Sequence, residues 1–201
     1  MFRCWASVIL ALIVTATYVT SLPGSYAIQR RASKCNGYQD LCNRKYSNVT
    51  HIGAHDSFAV GKLGSLGSNQ EANVTVQLED GIRLLQIQTH ASSGHQDSNP
   101  SGLSLCHTSC ALKNGGTLES YLRQVKQFLN QNKNEVVTLV ITNPDNKPVS
   151  NFAKAFENTG LNSMAYRAKS NSISNNAWPT LQDLISQNRR AVVWRDDLAE
   201  V

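Results

Sequence analysis

Short apolar runs alternate along this chain with longer stretches of helical period, and that alternation predicts a sheet of parallel strands wrapped by helices. Five runs read as strands: residues 49–54, 82–87, 103–106, 136–141 and 191–194. The run Val136-Val137-Thr138-Leu139-Val140-Ile141 is apolar at consecutive positions, which suits a strand buried on both faces. The clearest helix runs from an N-cap at Thr117 to about residue 132 and places Leu118, Tyr121, Leu122, Val125, Phe128 and Leu129 on one face. Two shorter helices are predicted over residues 150–157 and 180–187, each opened by a hydroxyl side chain, the first closed by Gly160. The Ser/Asn/Gly-rich stretch 92–102 reads as a loop, and no internal repeat is present.

The first 27 residues have a different pattern. Arg3 precedes an apolar stretch over residues 6–19, and Ser25-Tyr26-Ala27 gives a small-any-small cleavage site, which together read as a secretion signal. That stretch is shorter than the roughly 18–20 residues a spanning helix needs, and Pro23-Gly24 follows it, so cleavage is expected in place of a retained anchor. Residues 28–34 are expected to be a propeptide or a flexible N-terminus, since Gln29-Arg30-Arg31 suits either trimming by a processing protease or plain solvation. The remaining 174 of 201 residues are enough for one domain, expected over residues 35–201 and monomeric.

Charge and cysteine content narrow the setting. The net charge of +5 is scattered among Asn, Ser and Gln with no dense basic block, so no nucleic-acid partner is expected; the excess serves solubility or anionic headgroups. Four cysteines remain after the signal: Cys35, Cys42, Cys106 and Cys110. An even count in a secreted chain implies disulfides, and the local pairing, Cys35 with Cys42 and Cys106 with Cys110, closes two short loops. The competing zinc site lacks the C-x2-C spacing of structural sites. Asn48 and Asn73 each head a glycosylation sequon, whereas Asn99-Pro100-Ser101 is excluded by its proline.

Two histidines follow directly on predicted strands: His55 in Gly53-Ala54-His55-Asp56-Ser57, and His107 in Leu105-Cys106-His107-Thr108. Parallel α/β folds build their sites at the C-terminal ends of strands, so both imidazoles are expected in one mouth, able to divide proton transfer between a base and an acid. Either histidine alone would more readily be a strand-end residue satisfied by backbone. His51, His90 and His95 lack that placement and are set aside.

Here the chain resembles a known family. Cys35-Asn36-Gly37, Leu41-Cys42, Tyr46-Ser47-Asn48-Val49-Thr50 and Ile52-Gly53-Ala54-His55-Asp56-Ser57 together resemble the start of secreted fungal PLC-like phosphodiesterases, relatives of the phosphatidylinositol-specific phospholipase C X domain. Gly81-Ile82-Arg83-Leu84-Leu85-Gln86-Ile87-Gln88 looks like that family's second strand, and Leu105-Cys106-His107-Thr108 like its third. The resemblance implies a TIM-type (β/α) barrel, here expected to be truncated after about five strands, since a full barrel takes about 250 residues.

The resemblance also implies a secreted phosphoric diester hydrolase acting on a phospholipid or glycosylated phosphoinositide at a membrane surface. His55 would be the general base, His107 the general acid, and Asp56 a carboxylate assisting a histidine. Where family members place acidic calcium ligands or an arginine on the second strand, this chain has Gln86 and Gln88. No metal or other cofactor is therefore expected. The remaining candidates for binding the phosphate are Arg83, Gln86, Gln88 and Lys113. The departures leave open a catalytically weak relative that binds lipid headgroups or cell-surface glycans, or a truncated product without function.

Overall fold

The computed structural model describes residues 32–62, 64–92, 99–170 and 172–196; the expected signal at 1–27 and His95 lie outside the described residues. Six strands form one sheet: β1 (Gly53–Ala54), β2 (Leu84–Ala91), β3 (Leu103–Cys106), β4 (Asn114–Thr117), β5 (Val137–Thr142) and β6 (Ala191–Asp196). Among the described residues four α-helices accompany them: α1 (Val74–Glu79), α2 (Leu118–Gln131), α3 (Val149–Thr159) and α4 (Leu181–Ser186). The strand order is β4-β3-β2-β5-β6, with β1 also beside β2.

The β1-β2-β5-β6 part is parallel, as the alternation of apolar runs and helices predicts. Two expectations are corrected. The third strand is not parallel: β3 returns antiparallel along β2 and pairs with a further antiparallel strand, β4, that its Asn-Gly-Gly sequence concealed. The connection from β2 to β3 is short, with Ser92 N–H bonded to Gly102 O, and a parallel return would need a long crossover carrying a helix. The sheet is accordingly mixed and open, not a closed barrel. The first strand also shrinks from 49–54 to two residues, because only Gly53 and Ala54 pair with β2.

The helix caps follow their chemistry. Thr117 Oγ1 accepts from Ser120 N–H at α2, and Thr180 with Asp183 forms a full capping box at α4. Gly160 ends α3 with φ 68°. The hydroxyl cap expected at Ser150 is not used, since Pro148 occupies the N-cap and the helix begins one residue earlier. The unforeseen α1 is opened by Asn73, whose side chain accepts from Val76 N–H.

Alternation in β2 and β5 sends Leu85, Ile87, Leu139 and Ile141 to the helix side, where they meet Leu118, Leu122, Val125 and Leu129 of α2 in one buried cluster. A second cluster, including Tyr46, Val136, Trp178 and Val192, packs around the Cys35–Cys42 disulfide at the strand starts. Arg190, 2% exposed, closes the C-terminal end of α2 by donating to Leu129 O and Asn132 O. Burial lowers its pKa from the ordinary guanidinium value, against the opposing pull of Glu135.

Candidate active site

The free edge of β2 explains how two histidines 52 positions apart meet. β1 runs up the first part of that edge, with Gly53 opposite Leu84 and Ala54 opposite Leu85. β3 runs down its last part, with Leu103 opposite Ala91 and Leu105 opposite Thr89. The two strands approach each other end to end, so the turns that follow them, His55-Asp56 and His107-Thr108, come together beside residues 86–88 of β2. Convergence therefore arises from one parallel and one antiparallel strand sharing an edge, not from two parallel strand ends.

Asp56 lies between the rings. Its Oδ2 is 3.3 Å from His55 Nε2 and 3.5 Å from His107 Nε2, so the two nitrogens lie no farther apart than the sum of those distances, 6.8 Å. The Asp56 side chain is 4% exposed, that of His107 27% and that of His55 70%, an order that runs from the interior to solvent. His107 Nδ1 is 2.9 Å from Gly67 O, an acceptor only, so Nδ1 carries a hydrogen and Nε2 is the nitrogen left to exchange a proton.

Each turn is held by several groups. His107 stands inside the Cys106–Cys110 disulfide loop, and its N–H donates to Lys113 O. The segment from Val60 to Gln70 reaches both histidines: Gly67 O receives Nδ1–H of His107, while Gln70 Nε2 donates to His55 O at 2.6 Å. Gly67 has φ 70°, and a Cβ there would sit 3.0 Å from Lys113 Cβ and 3.1 Å from Leu112 Cγ, so only glycine fits this approach. Below Asp56, Ser57 is fully buried: its Oγ donates to Gln77 Oε1 and accepts from Tyr121 O–H. Burial drives the Tyr121 phenol far above its ordinary range, the Ser57 bond opposing it, so the residue stays an O–H donor.

The remaining predicted residues divide sharply. Gln86 and Gln88 lie beside the two turns, each with its carboxamide oxygen on a main-chain N–H: Gln86 Oε1 accepts from Asp56 and Gln88 Oε1 from Thr108, both at 2.7 Å. Lys113 Nζ donates to Val60 O, tying the two loops together at the rim. Arg83 is not brought to the site. It sits just before β2, ion-paired to Glu135 at 2.8 Å and stacked on Phe128, with a second bond to Leu78 O. A guanidinium so engaged is a structural part of the α1–α2 face.

His90, set aside on sequence, pairs with Asp145 at 3.1 Å. The Ala91 N–H bonded to that carboxylate, more than the histidine, holds its pKa below the ordinary value. Both expected disulfides are present, and Asn48 and Asn73 are exposed. Among the described residues no three His, Cys, Asp or Glu side chains converge to hold a metal ion, and no helix is long and apolar enough to cross a membrane. Gly67, Gln70, Ser57 and Tyr121 carried no catalytic signature in the sequence; only the glycine richness of residues 61–67 marked a loop that must approach something closely.

Known proteins are similar to this chain over most of its length. A family model described as PI-PLC X 1 matches residues 41–201. The chain is 44% identical over 162 residues to an "Uncharacterized secreted protein" of Arthroderma benhamiae, covering 81% of this chain and 35% of that one. It is 40% identical over 192 residues to "PI-PLC X domain-containing protein 1" of the same organism, covering 94% of this chain and 58% of that one. The chain thus spans about a third to just over half the length of these relatives. Among solved structures, phosphatidylinositol-specific phospholipase C from Listeria monocytogenes matches with a TM-score of 0.57 at 19% identity, covering 78% of this chain and 54% of that one, which is a likeness of fold.

Proposed function

This chain belongs to the PI-PLC X domain family, and we propose that it is a secreted phosphoric diester hydrolase cleaving a phospholipid or glycosylated phosphoinositide by histidine acid-base catalysis. The observation that carries this reading is the sharing of one buried carboxylate oxygen by two imidazoles. In the reaction, His55 takes the proton of the attacking hydroxyl as its oxygen bonds to phosphorus. His107 gives the proton on Nε2 to the leaving alkoxide as the other P–O bond breaks. One proton is gained and one lost, so the pair is restored by exchange with solvent. Asp56 orients both rings and balances the charge of whichever is an imidazolium.

Stabilisation of the phosphoryl oxygens falls to the two imidazoles, to main-chain N–H groups and to Lys113 at the rim. Neither glutamine brings a formal charge, and turnover slower than in metal- or arginine-assisted relatives is expected. That same observation favours a second reading, a headgroup-binding relative of low activity. Secretion is supported by the leader pattern, two disulfides and two exposed sequons at Asn48 and Asn73.

The test is release of phosphorylated headgroup from phosphatidylinositol vesicles by wild type, His55→Ala and His107→Ala. Loss of about 10² to 10⁴-fold in both variants, with folding intact, is expected for a base and an acid. Activity within tenfold of wild type would refute the assignment. Vesicle binding without hydrolysis by the folded wild type would put the second reading first.

A further inference from the structure

β2 carries Gln86 and Gln88 on one face, two residues apart, and each addresses a different catalytic turn. The residue after each histidine has a left-handed backbone: φ is 42° at Asp56 and 62° at Thr108. Asp tolerates that region, but threonine, branched at Cβ, rarely adopts it, and such conformations persist only where neighbours impose them. In each turn that residue's N–H donates to a glutamine Oε1 on β2 at 2.7 Å. The rung spacing of the strand thus sets the spacing of the two histidine turns.

We infer that Gln86 and Gln88 are positioning residues, a pair of carboxamide clamps that hold the left-handed residue behind each histidine and so fix both imidazoles relative to the Asp56 carboxylate. Because the main-chain partners are donors, the oxygen of each amide must face the turn, and the NH2 group points the other way. Neither amide nitrogen donates to any described residue, so the clamp works through the oxygen alone. A carboxylate would offer the same acceptor, but at residue 86 it would add a second negative charge beside Asp56, which a neutral amide avoids. The clamps do not depend on what the site cleaves, although their effect on rate rests on the proposed phosphodiesterase reading.

The test uses Gln86→Met and Gln88→Met, which keep side-chain length and remove the acceptor, with Gln88→Glu as the conservative variant that keeps an acceptor oxygen. Two readouts need no activity: amide hydrogen exchange of Asp56 and Thr108 N–H, and the NMR pH titration of the His55 and His107 ring protons. In Gln88→Met, Thr108 exchange is expected to rise at least tenfold and the His107 titration to shift, with His55 little changed. Gln86→Met should show the converse, and Gln88→Glu should restore Thr108 protection. Where phosphatidylinositol is hydrolysed, kcat should fall about 10²-fold with KM nearly unchanged, the effect of misplacing a catalytic group.

Unchanged exchange and titration in both Met variants would overturn the inference. A rise in KM alone would overturn it too, by making the glutamines direct ligands of substrate. Equal loss of protection throughout the domain would show a merely structural role. An inactive wild type whose Met variants still show the paired changes would refute the hydrolase reading and leave the clamps standing.

Discussion

Ser57→Ala removes a single oxygen from beneath the site and should be among the most costly small substitutions in the protein. Ser57 is 0% exposed, and its Oγ is both donor to Gln77 Oε1 at 2.6 Å and acceptor from Tyr121 O–H at 2.7 Å. Alanine leaves two buried polar atoms without partners, and each orphan costs about 1–3 kcal/mol, so the substitution should cost about 2–6 kcal/mol. The space vacated by one hydroxyl is too small to admit a water in compensation. Tyr121→Phe, by contrast, removes a donor while Ser57 keeps its bond to Gln77, and should cost about 0.5–1.5 kcal/mol. In the Ser57→Ala background the tyrosine hydroxyl is already an orphan, so adding Tyr121→Phe should be neutral or stabilising. Urea unfolding followed by tryptophan fluorescence measures all three variants. The reasoning is refuted if Ser57→Ala costs no more than Tyr121→Phe, or if Tyr121→Phe destabilises as much in that background as in wild type.

Asp56→Asn keeps the shape of the shared carboxyl but removes its charge, and should lower any vesicle hydrolysis by about 10²-fold or more while the protein stays folded, as read by initial rates alongside circular dichroism. Gly67→Ala should displace the carbonyl that receives Nδ1–H of His107, seen as a shifted His107 ring titration, because the new Cβ meets Leu112 and Lys113 at a positive φ. Burial holds the His51 pKa down against the raising effect of a backbone bond at Tyr46, so the unfolded chain binds the proton more readily. The stability from this neutral ring is present above about pH 6.5 and is lost as pH falls below it; His51→Phe should flatten the drop in melting temperature between pH 7 and 5. Thiol titration of the denatured, unreduced mature protein should find no free cysteine, and two or more would break the pairing seen here. Hydrolysis should persist in a calcium chelator, because Gln86 and Gln88 supply no negative charge; loss that calcium restores would show ligands of another origin.

What the sequence determined by itself is whatever depends on local order and residue chemistry. The apolar period of residues 118–129 is enough to bury one face of α2, Thr117 and Thr180 cap by their own hydroxyls, and cysteines four and seven apart can close their loops without distant help. The two candidate histidines were legible for a similar reason, since each ends a short apolar run. Tertiary structure alone decided the direction of β3, because pairing is set by the edge that β2 offers and not by the alternation within Leu103–Cys106. From that one choice follow the end-to-end meeting of β1 and β3 and the sharing of Asp56 between two rings. It also decided what the polar side chains touch: Arg83 turns to Glu135 and Phe128, while Gln86 and Gln88 spend their oxygens on main-chain N–H groups 30 and 20 positions away. Residue identity states what bonds a side chain can make; only the packed chain decides which partner is within reach.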